Sequence, residues 1–223
     1  MGCDNQAKNR QLDRKVAREA RRASYARILI VTEDSKATPL YLKEICSEHQ
    51  LHSANVEVQP GLGTAPIQVV RYAEQLFKKG NLHKGIRPKS FDQVYAVFDR
   101  DDHDSYFNAL NLANSLDGKL QNDDRQTVSF KAIASIPSFE LWLLLHYEDI
   151  QAPIHRDEVI ARLKQHILSY EKGTGGSFAT TRNRLGTATQ RAQSLAAKFN
   201  AYTDPEPYTT LYELVTLLTI LRA

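Results

Sequence analysis

The chain has 223 residues, 42% hydrophobic and 25% charged, with a formal net charge of +3, which suits one well-cored globular domain with at most a small appendage. No apolar stretch approaches the roughly 18 residues of a membrane span, and the N-terminus lacks the apolar core of a signal peptide. Two cysteines, Cys3 and Cys46, are too few for a disulfide scaffold or a thiolate metal site, so a reducing cytoplasm is expected, with Cys46 as a small core residue. Met1-Gly2 does not continue into a myristoylation signal, because Gln6 stands where Ser or Thr is needed.

The charge is uneven. Residues 1–27 hold eight Lys/Arg against three Asp/Glu, and the remainder holds 21 against 23. Residues 1–26 therefore read as a basic N-terminal arm. Leu12, Val16 and Ala20 would give a helix one thin apolar edge, and the arm is either a solvated tail or a contact for nucleic acid or a partner.

Strand and helix patterns then alternate. "RILIVTE" (27–33) reads as a buried strand, and 37–51 as a helix with Pro39 in its first turn. "ANVEVQ" is a second strand, and 65–79 a second helix. "FDQVYAVFD" (91–99) is a third strand, "SYFNALNLANSL" a third helix, and 126–135 a fourth strand. This order predicts an α/β core over 27–135, with a parallel four-stranded sheet, right-handed crossovers and helices on both faces. Residues 136–223 read as a helical C-terminal part packed on that core, with "EKGTGGS" (171–177) as a flexible loop.

The stretch "VYAVFDRDDHD" (94–104) closes the third strand with a run of acidic residues, with Asp92 just upstream. Ligand sites of open parallel sheets lie beyond the C-terminal strand ends. Asp99 and Asp101 stand there, and so does Glu33 after the first strand. Three converging carboxylates repel one another unless a cation compensates, and hard oxygen donors suit Mg²⁺ or Mn²⁺. An EF-hand begun at Asp99 fails, because Asp104 and Leu110 stand where Gly and Glu are needed. An aspartyl-nucleophile phosphatase would carry its D-x-D on the first strand, which ends in Glu33. Asp102 and Asp104 are expected only to cap the next helix, Asp104 as its N-cap.

These residues resemble the Toprim domain of topoisomerases, primases and overcoming-lysogenization-defect (OLD) nucleases. "SIPSFELWLLLHYED" and "DPEPYTTLYELV" further resemble signatures of the RloB-like family, whose members are similar to OLD-type Toprim proteins and occur in phage-defence and restriction-linked gene sets. The resemblance implies that Glu33 matches the Toprim glutamate and that Asp99 and Asp101 match its D-x-D. It further implies that Ser138 and Glu140 match an S-x-E element supplying metal ligands, and that Lys172 is the counterpart of an active-site lysine. Many RloB-like sequences read E-G-x-K-T-E-P where this chain reads "EDSKATP". Asp34 replaces the glycine and Thr38 the second glutamate, so a second cation depends on Asp34 standing in.

Glu140 also stands out without the resemblance. Phe139 and Leu141 to Leu145 are apolar nearly all round, so their helix should be buried, and a carboxylate inside it needs a partner, either a metal or the helix-terminal amides after Pro137. His146 reads as a satisfied histidine, and His103 as a group beside the acidic cluster. "GLGT" (61–64) reads as a turn, and no Walker element is present.

The expected function is a Mg²⁺- or Mn²⁺-dependent phosphodiesterase acting on DNA or RNA in phage defence. The competing expectation is a metal-binding regulatory subunit docked to an ATPase partner. A weaker third is a small-molecule phosphohydrolase.

Overall fold

The computed structural model describes residues 25–221 apart from 64, 102 and 204. The basic residues at positions 8–22 of the expected arm, and Asp102, lie outside the described residues.

The sheet forms from β1 (Ile28–Thr32), β2 (Val56–Pro60), β3 (Gln93–Asp99), β4 (Leu120–Gln121), β5 (Thr127–Ile136) and β6 (Tyr208–Thr209). β2, β1, β3 and β5 lie side by side in that order and are parallel, as the β-α-β pattern predicts. The sheet is larger than the four strands expected, and mixed. β4 pairs antiparallel with the start of β5, and β6 pairs antiparallel with its end at Ser135 and Ile136. Two-residue strands carry no period-2 signal, which is why the sequence pattern does not show them.

Helices α1 (Ala37–Glu48), α2 (Pro66–Lys79) and α3 (Tyr106–Leu116) make the crossovers. Val94, Ala96 and Phe98 face α2 and α3 on one side of the sheet, whereas Tyr95 and Val97 face α1 on the other. The pleat thus places the residues of β3 alternately in two cores, so β3 must be apolar along nearly its whole length.

The second half supplies α4 (Phe139–Leu145), α5 (Arg156–His166), α6 (Ser177–Thr181), α7 (Leu185–Lys198) and α8 (Leu211–Ile220). Their apolar residues, including Trp142, Val159, Leu163, Ala188, Leu195 and Leu214, join Ile28, Ile30, Tyr41 and Ile45 in a single core on the α1 face. Seven consecutive residues, 139–145, are buried, as the all-round apolar pattern of α4 requires. The indole N–H of Trp142 donates to the Tyr41 hydroxyl at 2.8 Å, so α4 and α1 are fixed by a hydrogen bond as well as by apolar contact.

Asp92 does not belong with the acidic stretch after β3. It precedes the strand, and seven residue steps of about 3.3 Å put it roughly 23 Å from Asp99, at the other end of the sheet. There it binds Arg27, whose guanidinium reaches Asp92, Asp123 and Asp124 at 2.6, 2.8 and 3.0 Å. Burial pushes the Asp92 carboxyl up, but its bonds to Arg27 outweigh this and hold it below the usual range. Arg27→Ala should therefore cost about 1.5–3 kcal/mol in urea denaturation at neutral pH, the range for hydrogen bonds to charged groups. The difference should narrow as pH falls and Asp92 is protonated in both states.

Candidate functional site

β1 and β3 are adjacent, and the chain crosses from β1 outward to β2 before returning to β3 on β1's other side. This is the switch point where open α/β sheets form a crevice beyond their C-terminal strand ends. Glu33 follows β1 directly; its N–H donates to Val97 O at 2.8 Å, and its Oε2 accepts from Asp99 N–H at 2.9 Å. Its carboxylate thus lies across the end of β3. Arg100 N–H donates to Ser135 O at 2.8 Å and Asp101 N–H to Pro137 O at 3.2 Å, which leads the D-x-D turn over the end of β5. Asp101 adopts φ +34°, a left-handed conformation that costs a non-glycine residue energy and is concentrated at functional sites.

Glu33, Asp99, Asp101, His103, Asp34, Thr38 and Lys172 line one cavity of about 180 Å³. Glu140 approaches from below: it is fully buried at the start of α4, its Oε2 accepts from Ser138 Oγ at 2.7 Å, and its Oε1 accepts from Tyr170 OH at 3.2 Å. Lys172 Nζ lies 3.3 Å from the same Oε1. Ser138 occupies the N-cap position but gives its hydroxyl to Glu140 rather than to a helix amide.

Lys172 reaches the site from a loop that two features hold. Gly173 has φ +86°, and a Cβ there would come within 2.9 Å of the Lys36 side chain, so only glycine lets the loop lie this close to the start of α1. Glu44 on α1 accepts the N–H groups of Gly176 and Phe178, the latter at 2.9 Å. The loop expected to be flexible is therefore tied to α1 at both of these points.

The cluster is dominated by negative charge. Burial, then Glu140, Glu33 and Asp101, push the Asp99 carboxyl well above the usual carboxylate range. Burial also raises Glu33, to about 7, against the bond from Asp99 N–H and the nearby His103. Burial likewise pushes Glu140 up, but Lys172 and Ser138 outweigh it and hold that carboxyl low. His103 Nε2 stands 3.3 Å from Glu33 Oε1, and Arg156 donates to Asp101 Oδ2 at 2.8 Å. Three of the four carboxylates thus have a basic neighbour. Among the described residues, Asp99 has no ion-pair partner within 4.0 Å.

Of the six residues singled out from the sequence, Glu33, Asp99, Asp101 and Lys172 line this cavity, and Glu140 and Ser138 are joined to it through the contact of Lys172 with Glu140. Among the described residues, however, no three His, Cys, Asp or Glu side chains form a ready-made set around one ion position. Asp34 does not stand free in place of the missing glutamate: its carboxylate accepts the Thr38 N–H at 3.0 and 3.2 Å and caps α1. Asp104 is exposed and is not the cap of α3, which starts at Tyr106 with Ser105 at the N-cap. His146 is buried with Nδ1 against Trp142 O at 2.9 Å, and burial lowers it to about 4. Its Nε2 has no hydrogen-bond partner among the described residues, so it is less satisfied than expected. Arg156 and Tyr170 were not foreseen. Tyr170 directly precedes the loop "EKGTGGS", two residues from Lys172, whereas Arg156 opens a helix 55 residues from Asp101 with no motif around it.

No helix among the described residues is long and apolar enough to cross a membrane. No curated protein and no solved structure matches the chain significantly. A family profile described as RloB-like protein does match, over residues 28–218, which takes in β1, the acidic cavity and nearly all of the C-terminal helices, and the chain belongs to the RloB-like family.

Proposed function

We propose that this chain is a divalent-metal-dependent phosphodiesterase acting on nucleic acid, with a Toprim-like site, and that it serves in phage defence. The observation that carries this reading is the excess negative charge at the switch point, with Asp99 held among Glu33, Asp101 and Glu140 and, among the described residues, without an ion-pair partner within 4.0 Å. Such a group fits a hard cation by donor type, because every acidic member offers oxygen. Glu33, Asp99 and Asp101 would hold Mg²⁺ or Mn²⁺, with Ser138 and Glu140 as further oxygen donors. Such an ion, when bound, polarises a phosphoryl oxygen and makes bound water a nucleophile at neutral pH. Lys172, partly exposed in the cavity wall, offers an ammonium to the charge that develops on phosphorus-bound oxygen. His103, against Glu33, orients that carboxylate. The basic N-terminal arm supplies cations for phosphate contacts outside the site.

The competing reading is a metal-binding regulatory subunit docked to an ATPase partner, which would keep the cation without the chemistry. Incubation of the pure protein with Mn²⁺ or Mg²⁺ and end-labelled DNA, mRNA and tRNA separates the two. The phosphodiesterase reading expects cleavage of at least one substrate, loss in EDTA, and at least a 100-fold reduction in Lys172→Ala, within the range for removing one electrostatic stabiliser. The regulatory reading expects no cleavage, while metal still raises the melting temperature by mass action.

A further inference from the structure

Beside the acidic cavity, and sharing Asp101 with it, lies a larger cavity of about 460 Å³, a volume in the range of small-molecule sites. Pro137, Ile154, Ile160 and Pro205 give it apolar walls, Arg100 and Arg156 supply positive charge at the boundary with Asp101, and the exposed His155 and Asp157, paired with each other at 3.5 Å, also line it. Both arginines are held in place. Arg156 donates from one amino group to Asp101 Oδ2 at 2.8 Å. The Arg100 guanidinium lies 5.1 Å from the ring centroids of both Tyr106 and Phe107, and its Nη1 donates to Asp101 O at 3.3 Å.

An apolar slot with guanidinium groups at its mouth matches a flat, hydrophobic base attached to a phosphate. We propose that this second cavity receives the unstacked base of the nucleotide next to the phosphate held in the acidic cavity, and that the substrate class is therefore single-stranded nucleic acid or an unpaired loop or end. A paired and stacked base presents only its edges, so a base enters such a slot only after leaving the stack, at a cost that is least for strands already unpaired. Arg156 links the two cavities as a phosphate contact. A guanidinium has five N–H donors in a planar fork, so it can hold Asp101 through one amino group and a phosphate through the others. The inference rests on the phosphodiesterase reading for the placement of the phosphate, but not for the apolar slot.

The test uses the full chain with Ca²⁺, a hard cation, in place of Mg²⁺ or Mn²⁺, probe integrity being checked on a gel, and fluorescence anisotropy with two labelled probes: a short deoxythymidine oligomer and an oligomer of equal length with every base removed. The arm contacts phosphates on both probes equally, so the ratio of the two affinities isolates base binding. The parent should prefer the oligomer with bases by about tenfold, the scale of stacking and burial of one base. Ile160→Gln, at a half-buried position of the slot wall, should reduce the preference to about twofold or less, and Ile160→Val should keep it. Arg156→Gln should weaken both probes alike and lower the salt slope by about 0.7, the value for one phosphate contact on a single strand. Equal affinity of the parent for both probes, or an undiminished preference in Ile160→Gln, overturns the inference even if the protein cleaves nucleic acid. A preference that depends on Ile160 in a protein that cleaves nothing upholds the slot and removes the phosphodiesterase reading alone.

Discussion

In metal-free buffer at pH 8, Asp99→Asn should melt several degrees above the parent, and Mg²⁺ should no longer raise its melting temperature. The sign follows from the two raised carboxyls. Glu33 and Asp99 titrate higher in the folded chain than in the unfolded one, Glu33 near 7 and Asp99 well above its ordinary value, both chiefly through burial. Between about pH 4.5 and 7 the folded state therefore binds more protons, so the stability these groups contribute is fully present in acid and is lost as pH rises. Asp92 and Glu140 are shifted the opposite way, and their contribution is lost only at still lower pH. The metal-free parent should accordingly lose melting temperature from pH 5.5 to 7.5. One unit of raised pKa corresponds to about 1.4 kcal/mol, and each kcal/mol to roughly 2–4 °C in a chain of this size. Asparagine keeps the shape and can still accept the Phe139 N–H that bonds Asp99, yet it removes the uncompensated charge. Mg²⁺ should stabilise the parent more at pH 8 than at pH 5.5, because ligands must be deprotonated to bind. Differential scanning fluorimetry over this pH range, with and without Mg²⁺, reads all of these outcomes. A parent that melts higher at pH 7.5 than at pH 5.5 without metal, or an Asp99→Asn variant that still responds to Mg²⁺, would remove the charge-compensation argument.

The acidic cluster is partly legible in the sequence because strand ends are marked locally. Glu33 and Asp99 each close an apolar run, and the parallel order of β1 and β3 follows from the helix between strands, so their meeting could be read from one chain. Glu140 was legible because a carboxylate is conspicuous among Phe139, Trp142 and four leucines. Other features depend on distances that the order of residues does not encode. Asp92 is seven positions from Asp99 but at the far end of the strand, where it serves Arg27. Arg156 is far from Asp101 in sequence and 2.8 Å from it in space. Asp34, next to Glu33, lines the cavity as well, and its carboxylate also accepts the Thr38 amide at the start of α1, a bond that residue order does not show. β6 has no pattern of its own: its two residues are a strand only through their pairing with the end of β5. Whether the oxygens close around an ion is likewise a matter of ångströms, below what residue spacing resolves.

Glu33→Gln should abolish phage protection in cells carrying the neighbouring genes, at unchanged protein level, if this chain is the enzyme. Glutamine retains an oxygen to accept the Asp99 N–H that Glu33 now receives at 2.9 Å, so the end of β3 keeps its support. The raised carboxyl shows that the native charge is a cost to the metal-free fold, which makes the substitution neutral or stabilising before metal is added. What it removes is one of the negative oxygens proposed to hold the cation and orient water, and losses at such positions are commonly 100-fold or more. Asp101→Asn is the companion change: it removes the charge facing Arg156, at the seam between the two cavities. A subunit acting only by docking to an ATPase would use surfaces such as the exposed side of α8 or the N-terminal arm, and would protect with either substitution in place. Full protection by both variants would therefore assign the acidic cavity a structural or regulatory role. Loss of protection by both, with each protein as abundant and as heat-stable as the parent, would place phosphodiester chemistry at the switch point of the sheet.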